Sequence, residues 1–182
     1  GCKKTVRDMK REGQAEDHCY HMKKLAPRIL EINGMDPDWR HLMLMNLSIN
    51  PTYYCNFACD FCYLTTEQLN DRHKITPLWL ENSLQQITDK VGHVDLYGGE
   101  IGLLSPEYYY SLKKVIRNHY KGPININTNL SAFPDFFRDE DVTLSVSYDF
   151  HAREKEQHVL NNMMNANKDL SVLILASPKV LE

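Results

Sequence analysis

Apolar and polar positions alternate along this chain in two distinct periods. From Leu42 to Ile49 the apolar residues run nearly unbroken, which predicts a strand buried on both faces. Thr76-Pro77 pairs a capping hydroxyl with a proline suited to the first helical position. Leu80, Leu84, Ile87 and Val91 then recur at helical spacing, and Gly92 is the expected stop. A short strand from His93 to Tyr97 leads into Gly98-Gly99-Glu100. Ser105-Pro106-Glu107 repeats the cap-and-proline start. Leu112, Val115, Ile116 and Tyr120 form its buried stripe, and Gly122-Pro123 ends it. Tyr108, Tyr109 and Tyr110 read as packing and surface. Ile124 to Thr128 is a strand, with Asn125, Asn127 and Asn129 on alternate positions. A helical turn over Phe133 to Phe137 and a strand over Val142 to Tyr148 follow. A polar helix from His151 to Asn167 turns Val159, Leu160, Met163 and Met164 inward. A last apolar strand from Leu170 to Ala176 is halted by Pro178.

Strand and helix alternate through five strands, which predicts an α/β fold with a parallel sheet and right-handed helical crossovers. Ligands of such sheets bind beyond the carboxyl ends of the strands, and those ends carry the polar residues here. Residues 42–182 form the expected core. Residues 1–41 read as a charged N-terminal arm with a short helix, Lys23 to Ile32, followed by the turn residues Asn33-Gly34. His18, Cys19 and His21 sit together in that arm, but polar arms commonly carry such residues without function.

The loop after the first strand holds Cys55, Cys59 and Cys62 within eight residues. Offsets of four and three bring three sulfurs to one side of a tight coil. Converging thiolates suit a soft metal or a cluster. An iron–sulfur cube usually takes four cysteines, so three leave one iron open to a small molecule. Zinc, completed by His73 or Cys19, and disulfide bonding are the competing readings. Five cysteines is an odd number, and Cys2 and Cys19 are read as free thiols. Net charge is −3 and the sequence pI is about 6.3, which argues against a nucleic-acid binder. No apolar run approaches the roughly 20 residues of a membrane span. The basic N-terminus lacks the apolar stretch of a secretory signal, which predicts a reducing, cytoplasmic setting where clustered thiols hold metal.

Taken together, Cys55-x3-Cys59-x2-Cys62 after a first strand and Gly98-Gly99-Glu100 after a second resemble the radical S-adenosylmethionine enzymes. Phe61, before the third cysteine, matches the aromatic position that packs near the adenine in that family. Gly98, Gly99 and Glu100 match the motif that meets the methionine amino group. Ser147-x-Asp149 and Thr128-Asn129 resemble the subgroup of the molybdenum-cofactor cyclase and peptide maturases, with Leu130 where that subgroup has glycine. The resemblance implies a partial (β/α) barrel, here of about five units rather than six. It implies a 4Fe-4S cluster on the three cysteines. S-adenosylmethionine would lie against Phe61, Gly98, Gly99, Glu100, Asn129, Ser147 and Asp149. Asp149 could instead cap the following helix, and Ser145 could face solvent. The implied chemistry is reductive cleavage of S-adenosylmethionine to a 5′-deoxyadenosyl radical, which takes a hydrogen from a peptide or a cofactor or nucleoside precursor. A flavodoxin- or ferredoxin-type donor would supply the electron, and a partner or second copy would complete the open barrel. The alternative is a non-catalytic iron–sulfur or zinc module, an electron carrier or scaffold. No general base is needed for the first step, in keeping with the lack of a catalytic triad.

Overall fold

The computed structural model describes residues 44–87, 90–148 and 156–174. The expectations for residues 1–41, for Asp149 and for residues 175–182 lie outside this set.

Five strands form one parallel sheet: β1 (Met45–Ile49), β2 (Val91–Leu96), β3 (Ile124–Thr128), β4 (Val142–Ser147) and β5 (Leu170–Leu173). Their order in space is their order in sequence. Among the described residues four helices accompany them: α1 (Thr66–Asn70), α2 (Pro77–Leu84), α3 (Pro106–His119) and α4 (Gln157–Met164), with short 3-10 turns at Ile101–Leu103 and Asp135–Arg138. Sequential order has a direct consequence. Right-handed crossovers that all step the same way put their helices on one side of the sheet. The apolar core lies on that side: Val94, Leu96, Ile124, Ile126, Val142, Leu144 and Val146 meet Leu80, Leu84, Leu112, Ile116, Phe136, Phe137 and Val159. The opposite face, from His93 onward, carries Asp95, Asn125, Asn127, Thr143, Ser145, Ser147 and Ser171. This is the open α/β sheet of a partial barrel, with a dry convex side and a polar concave side.

Several element readings change on this scaffold. β1 is buried on one face only, with Asn46 and Ser48 exposed, because the helices cover a single side. The second helix ends at Leu84, and Val91 and Gly92 belong to β2. Gly92 is not a helix stop. A Cβ there would lie 2.3 Å from the Leu44 side chain, so its small size lets the chain leading into β1 approach β2. The described part of the last helix buries Val159 and packs Met163, while Leu160 and Met164 are exposed. α1 escaped the hydrophobic pattern, being a single turn. Its start is nonetheless a capping box, Thr65 bonding the Gln68 amide and Gln68 bonding back to Thr65.

Tyr109 is fully buried and stacks on Phe136 at 4.1 Å, and the Tyr108 hydroxyl donates to the Ile75 carbonyl. Polar clamps tie the amino end of β4 to its surroundings. Lys113 bridges Asp139 and Asp141, and Arg117 grips Asp141 at 2.5 Å. The Lys168 ammonium donates to the carbonyls of Phe137, Asp139 and Val142 at 2.7 to 2.9 Å. Among the described residues no helix is long and apolar enough to cross a membrane.

Candidate active site

The cysteine loop is anchored by continuing the β1–β2 pairing beyond both strands. The Tyr97 amide bonds to Ile49, Gly99 to Thr52 and Glu100 to Tyr54, at 2.8 to 3.0 Å. Glycine is needed at this seam. Gly98 has φ of 128°, and a Cβ there would meet the Thr52 carbonyl at 2.6 Å. A Cβ on Gly99 would lie 2.1 Å from the Tyr54 carbonyl oxygen. The room these glycines leave is taken by the backbone entering the cysteine loop. On the other flank, the Cys55 amide bonds to the Leu69 carbonyl, and Thr52 pairs with Lys74 in an antiparallel bridge. The loop closes on itself through Cys62 N–H to the Cys59 carbonyl at 2.9 Å.

Glu100 is buried and links β2 to β3. One carboxylate oxygen accepts from the Gly102 amide at 2.7 Å and the Thr128 hydroxyl at 2.5 Å, and the other from the Asn129 amide at 2.6 Å. A carboxylate has about four acceptor positions, so at most one is left for a ligand amine. Glu100 thereby fixes the turn carrying Asn129. The Asn129 side-chain NH2 donates to the Cys55 sulfur at 3.6 Å and to Asn56 Oδ1 at 3.2 Å, and the Ser131 hydroxyl donates to the same Asn56 oxygen. Leu130 takes φ of 56°, the left-handed conformation glycine would supply freely. That costs a residue with a Cβ about 1–2 kcal/mol. Full burial of the leucine side chain, worth about 1.5–3 kcal/mol, offsets it.

These elements enclose a cavity of about 230 Å³ at the carboxyl ends of the strands. Cys55, Cys59 and Cys62 line it, as do Phe61, Gly98, Gly99, Glu100, Asn129 and Ser147. Every described residue expected at the cofactor site is therefore on this one wall, and Asp149 lies outside the described residues. The pattern did not single out Tyr63, Tyr97 or Leu173, which also line the cavity, together with Phe57, Asn127 and Thr128. Tyr63 and Tyr97 stack at 6.1 Å with rings within 4° of parallel. Their positions, next to a motif cysteine and just before Gly98, were the available signal. Burial, with Tyr97 and Tyr53 close by, pushes the Tyr63 phenol up to about 12. Burial also raises the Cys55 thiol, reinforced by the Glu100 carboxylate and Cys59. The Phe57 and Asn129 N–H groups pull the other way. Ser145 bonds to Asn125 and does not line the cavity.

Among the described residues, no three or more His, Cys, Asp or Glu side chains are gathered closely enough for a single metal ion. His73 pairs with Asp71 and borders a separate hollow of about 700 Å³ along β1 and α2, which no cysteine lines. A cube with one cysteine per corner iron needs its sulfurs farther apart than one tetrahedral ion does. The cavity wall fits the cube on donor chemistry, with three cysteines and two N–H groups directed at Cys55.

No family model and no curated protein sequence matches this chain. Among solved structures it is similar to native anSMEcpe with bound AdoMet, at 17% identity and a TM-score of 0.47, over 71% of this chain and 42% of that one. The histidine-tagged form of anSMEcpe with bound AdoMet gives 17% and 0.47, over 72% and 42%. The form with AdoMet and the Kp18Cys peptide gives 16% and 0.45, over 71% and 43%. This chain thus spans about two-fifths of the length of the structures it matches. Likeness at this level carries no weight for the chemistry of this chain.

Proposed function

We propose that this chain is the core of a radical S-adenosylmethionine enzyme, with a 4Fe-4S cluster held by Cys55, Cys59 and Cys62. The observation that carries the reading is the meeting of two separate motifs on one cavity: the three cysteines from the loop after β1, and Gly98-Gly99-Glu100 after β2. When bound, the cluster and S-adenosylmethionine supply a one-electron cleavage that yields a 5′-deoxyadenosyl radical. The chain's residues bind and orient. Gly98 and Gly99 let the cysteine loop lie directly against the end of β2, which holds the thiols at the cavity. Asn127 and Ser147 offer polar groups at the ends of β3 and β4. Phe61 offers an exposed ring for the adenine. Glu100 acts chiefly on Asn129 and Thr128, and through Asn129 on Cys55. An external one-electron donor of flavodoxin or ferredoxin type completes the reaction, and the substrate is a peptide or a small polar molecule. The open sheet edge at β5, where Val172, Leu173 and Ile174 are exposed, suits completion by a further segment or partner.

The test is anaerobic reconstitution with iron and sulfide, followed by reduction in the presence of S-adenosylmethionine. Bound iron and sulfide with release of 5′-deoxyadenosine is the expected result. Cys55→Ala, Cys59→Ala and Cys62→Ala should each lose the bound iron. Zinc without iron, or a cluster retained in all three variants, would overturn the assignment. A stable cluster with no deoxyadenosine would favour the electron-carrier alternative.

A further inference from the structure

Resting on that reading of the cavity, we infer that the concave sheet face next to it is a substrate subsite selective for a primary ammonium group. Side chains two apart on a strand share a face, roughly 7 Å from one another along it. Tyr97, Asn127, Ser147 and Leu173 line the cavity. One step back on the same strands stand Asp95, Asn125, Ser145 and Ser171, so this layer adjoins the cavity lining on the same sheet face.

The layer is wired in one direction. The Thr143 and Ser145 hydroxyls both donate to the Asn125 side-chain oxygen, Oδ1, at 3.1 Å. The Asn125 amide donates to Asp95 Oδ1 at 2.7 Å, and His93 Nε2 stands 3.2 Å from the same oxygen. Donors therefore run toward Asp95, and its Oδ2 takes no hydrogen bond from the described residues. The Asp95 side chain keeps a quarter of its surface open. None of the five strands carries a lysine or arginine.

These facts select among ligands. A phosphate or carboxylate would meet the Asp95 carboxylate with no strand lysine or arginine to offset the repulsion, and with the His93 ring already directed at Asp95 Oδ1. A neutral polyol could use the asparagine and serine groups but would strip water from Asp95 Oδ2 and leave it poorly paired. An ammonium group brings positive charge and three donors to a carboxylate that still has acceptor positions free. The shared chemistry is a primary amine on a short alkyl stem, from a lysine-like side chain of a peptide or from a small free amine.

Ligand-observed NMR titration of the full chain, both as isolated and after cluster reconstitution, tests this. The probes are acetyl-Gly-Lys-Gly-amide, the same peptide with norleucine for lysine, n-butylamine and n-butanol. The lysine peptide should bind about tenfold more tightly than its norleucine counterpart. The preference should disappear in Asp95→Asn. It should also disappear in Ser48→Lys, which keeps Asp95 and places an internal ammonium on the neighbouring strand opposite it. Preference by both amines, or by the lysine peptide alone, supports the subsite and separates the two sources. Equal binding of lysine and norleucine peptides, or a preference that survives both substitutions, overturns it. An amine preference in a chain that never yields deoxyadenosine would leave the subsite standing and remove the radical reading. Deoxyadenosine release without amine preference would do the reverse.

Discussion

Gly99→Ala separates two reasons for a glycine at the cavity. If the glycine only lets a ligand approach, alanine leaves the ligand-free protein unharmed. The structure requires otherwise. The added Cβ would lie 2.1 Å from the Tyr54 oxygen and 2.5 Å from the Tyr53 carbonyl carbon, both backbone atoms that cannot turn aside. Ordinary contact needs more than 3 Å, so the two backbones must separate by about 1 Å. Overpacking of this kind costs about 1–3 kcal/mol. The same movement strains the bonds from Gly99 to Thr52 and from Glu100 to Tyr54, each worth about 0.5–1.5 kcal/mol. The expected loss is about 2–6 kcal/mol, a drop in Tm of about 4–24 °C for a chain of this size. Urea or thermal unfolding without cluster or S-adenosylmethionine reads it directly. Iron uptake after reconstitution should fall with it, since the loop entering at Tyr53 carries the cysteines. A Gly99→Ala variant within about 0.5 kcal/mol of wild type would refute the argument.

Glu100→Gln should destabilise by about 2–4 kcal/mol in chemical denaturation, because either amide orientation points its NH2 at a buried backbone N–H, that of Gly102 or Asn129. A neutral result would mean those amides find other acceptors. Lys168→Met should cost about 2–4 kcal/mol by leaving three carbonyls without their shared donor, and a shift under about 0.5 kcal/mol would count against that clamp. Asp141 predicts a pH dependence. Burial works against its ionised form, but the hydrogen bonds from Lys113 and Arg117 prevail and hold its carboxyl below the usual range. A carboxyl depressed in the folded state contributes stability above its unfolded value and loses it as pH falls through the folded one. Wild type should therefore exceed Asp141→Asn near neutrality, by about 1 kcal/mol or less given the exposure of the pair, and converge with it in acid. A gap that widens in acid would reverse the assignment.

Helix starts were legible from local chemistry. Thr76-Pro77 and Ser105-Pro106 cap and begin α2 and α3, since capping depends on residues within one turn. The α/β class and the gathering of polar residues at strand ends were legible too, because alternation and parallel strands leave few topologies. Where α2 stops was not. Val91 continues its helical spacing, yet pairing with β1 draws it into β2. Spacing brought Cys55, Cys59 and Cys62 to notice, and the cavity beside Gly98, Gly99 and Ser147 depended on strands distant in the chain coming into register.

The chain's order of residues determined its parallel α/β character, its helix caps and the three-cysteine loop, since each rests on neighbours within a few positions. Tertiary structure alone decided that Gly99 yields to the Tyr53–Tyr54 backbone, that Glu100 serves Asn129 before any ligand, and that Asp95 ends a chain of donors on an open polar face. Those outcomes depend on which distant groups occupy the same space, and local pattern holds no record of that.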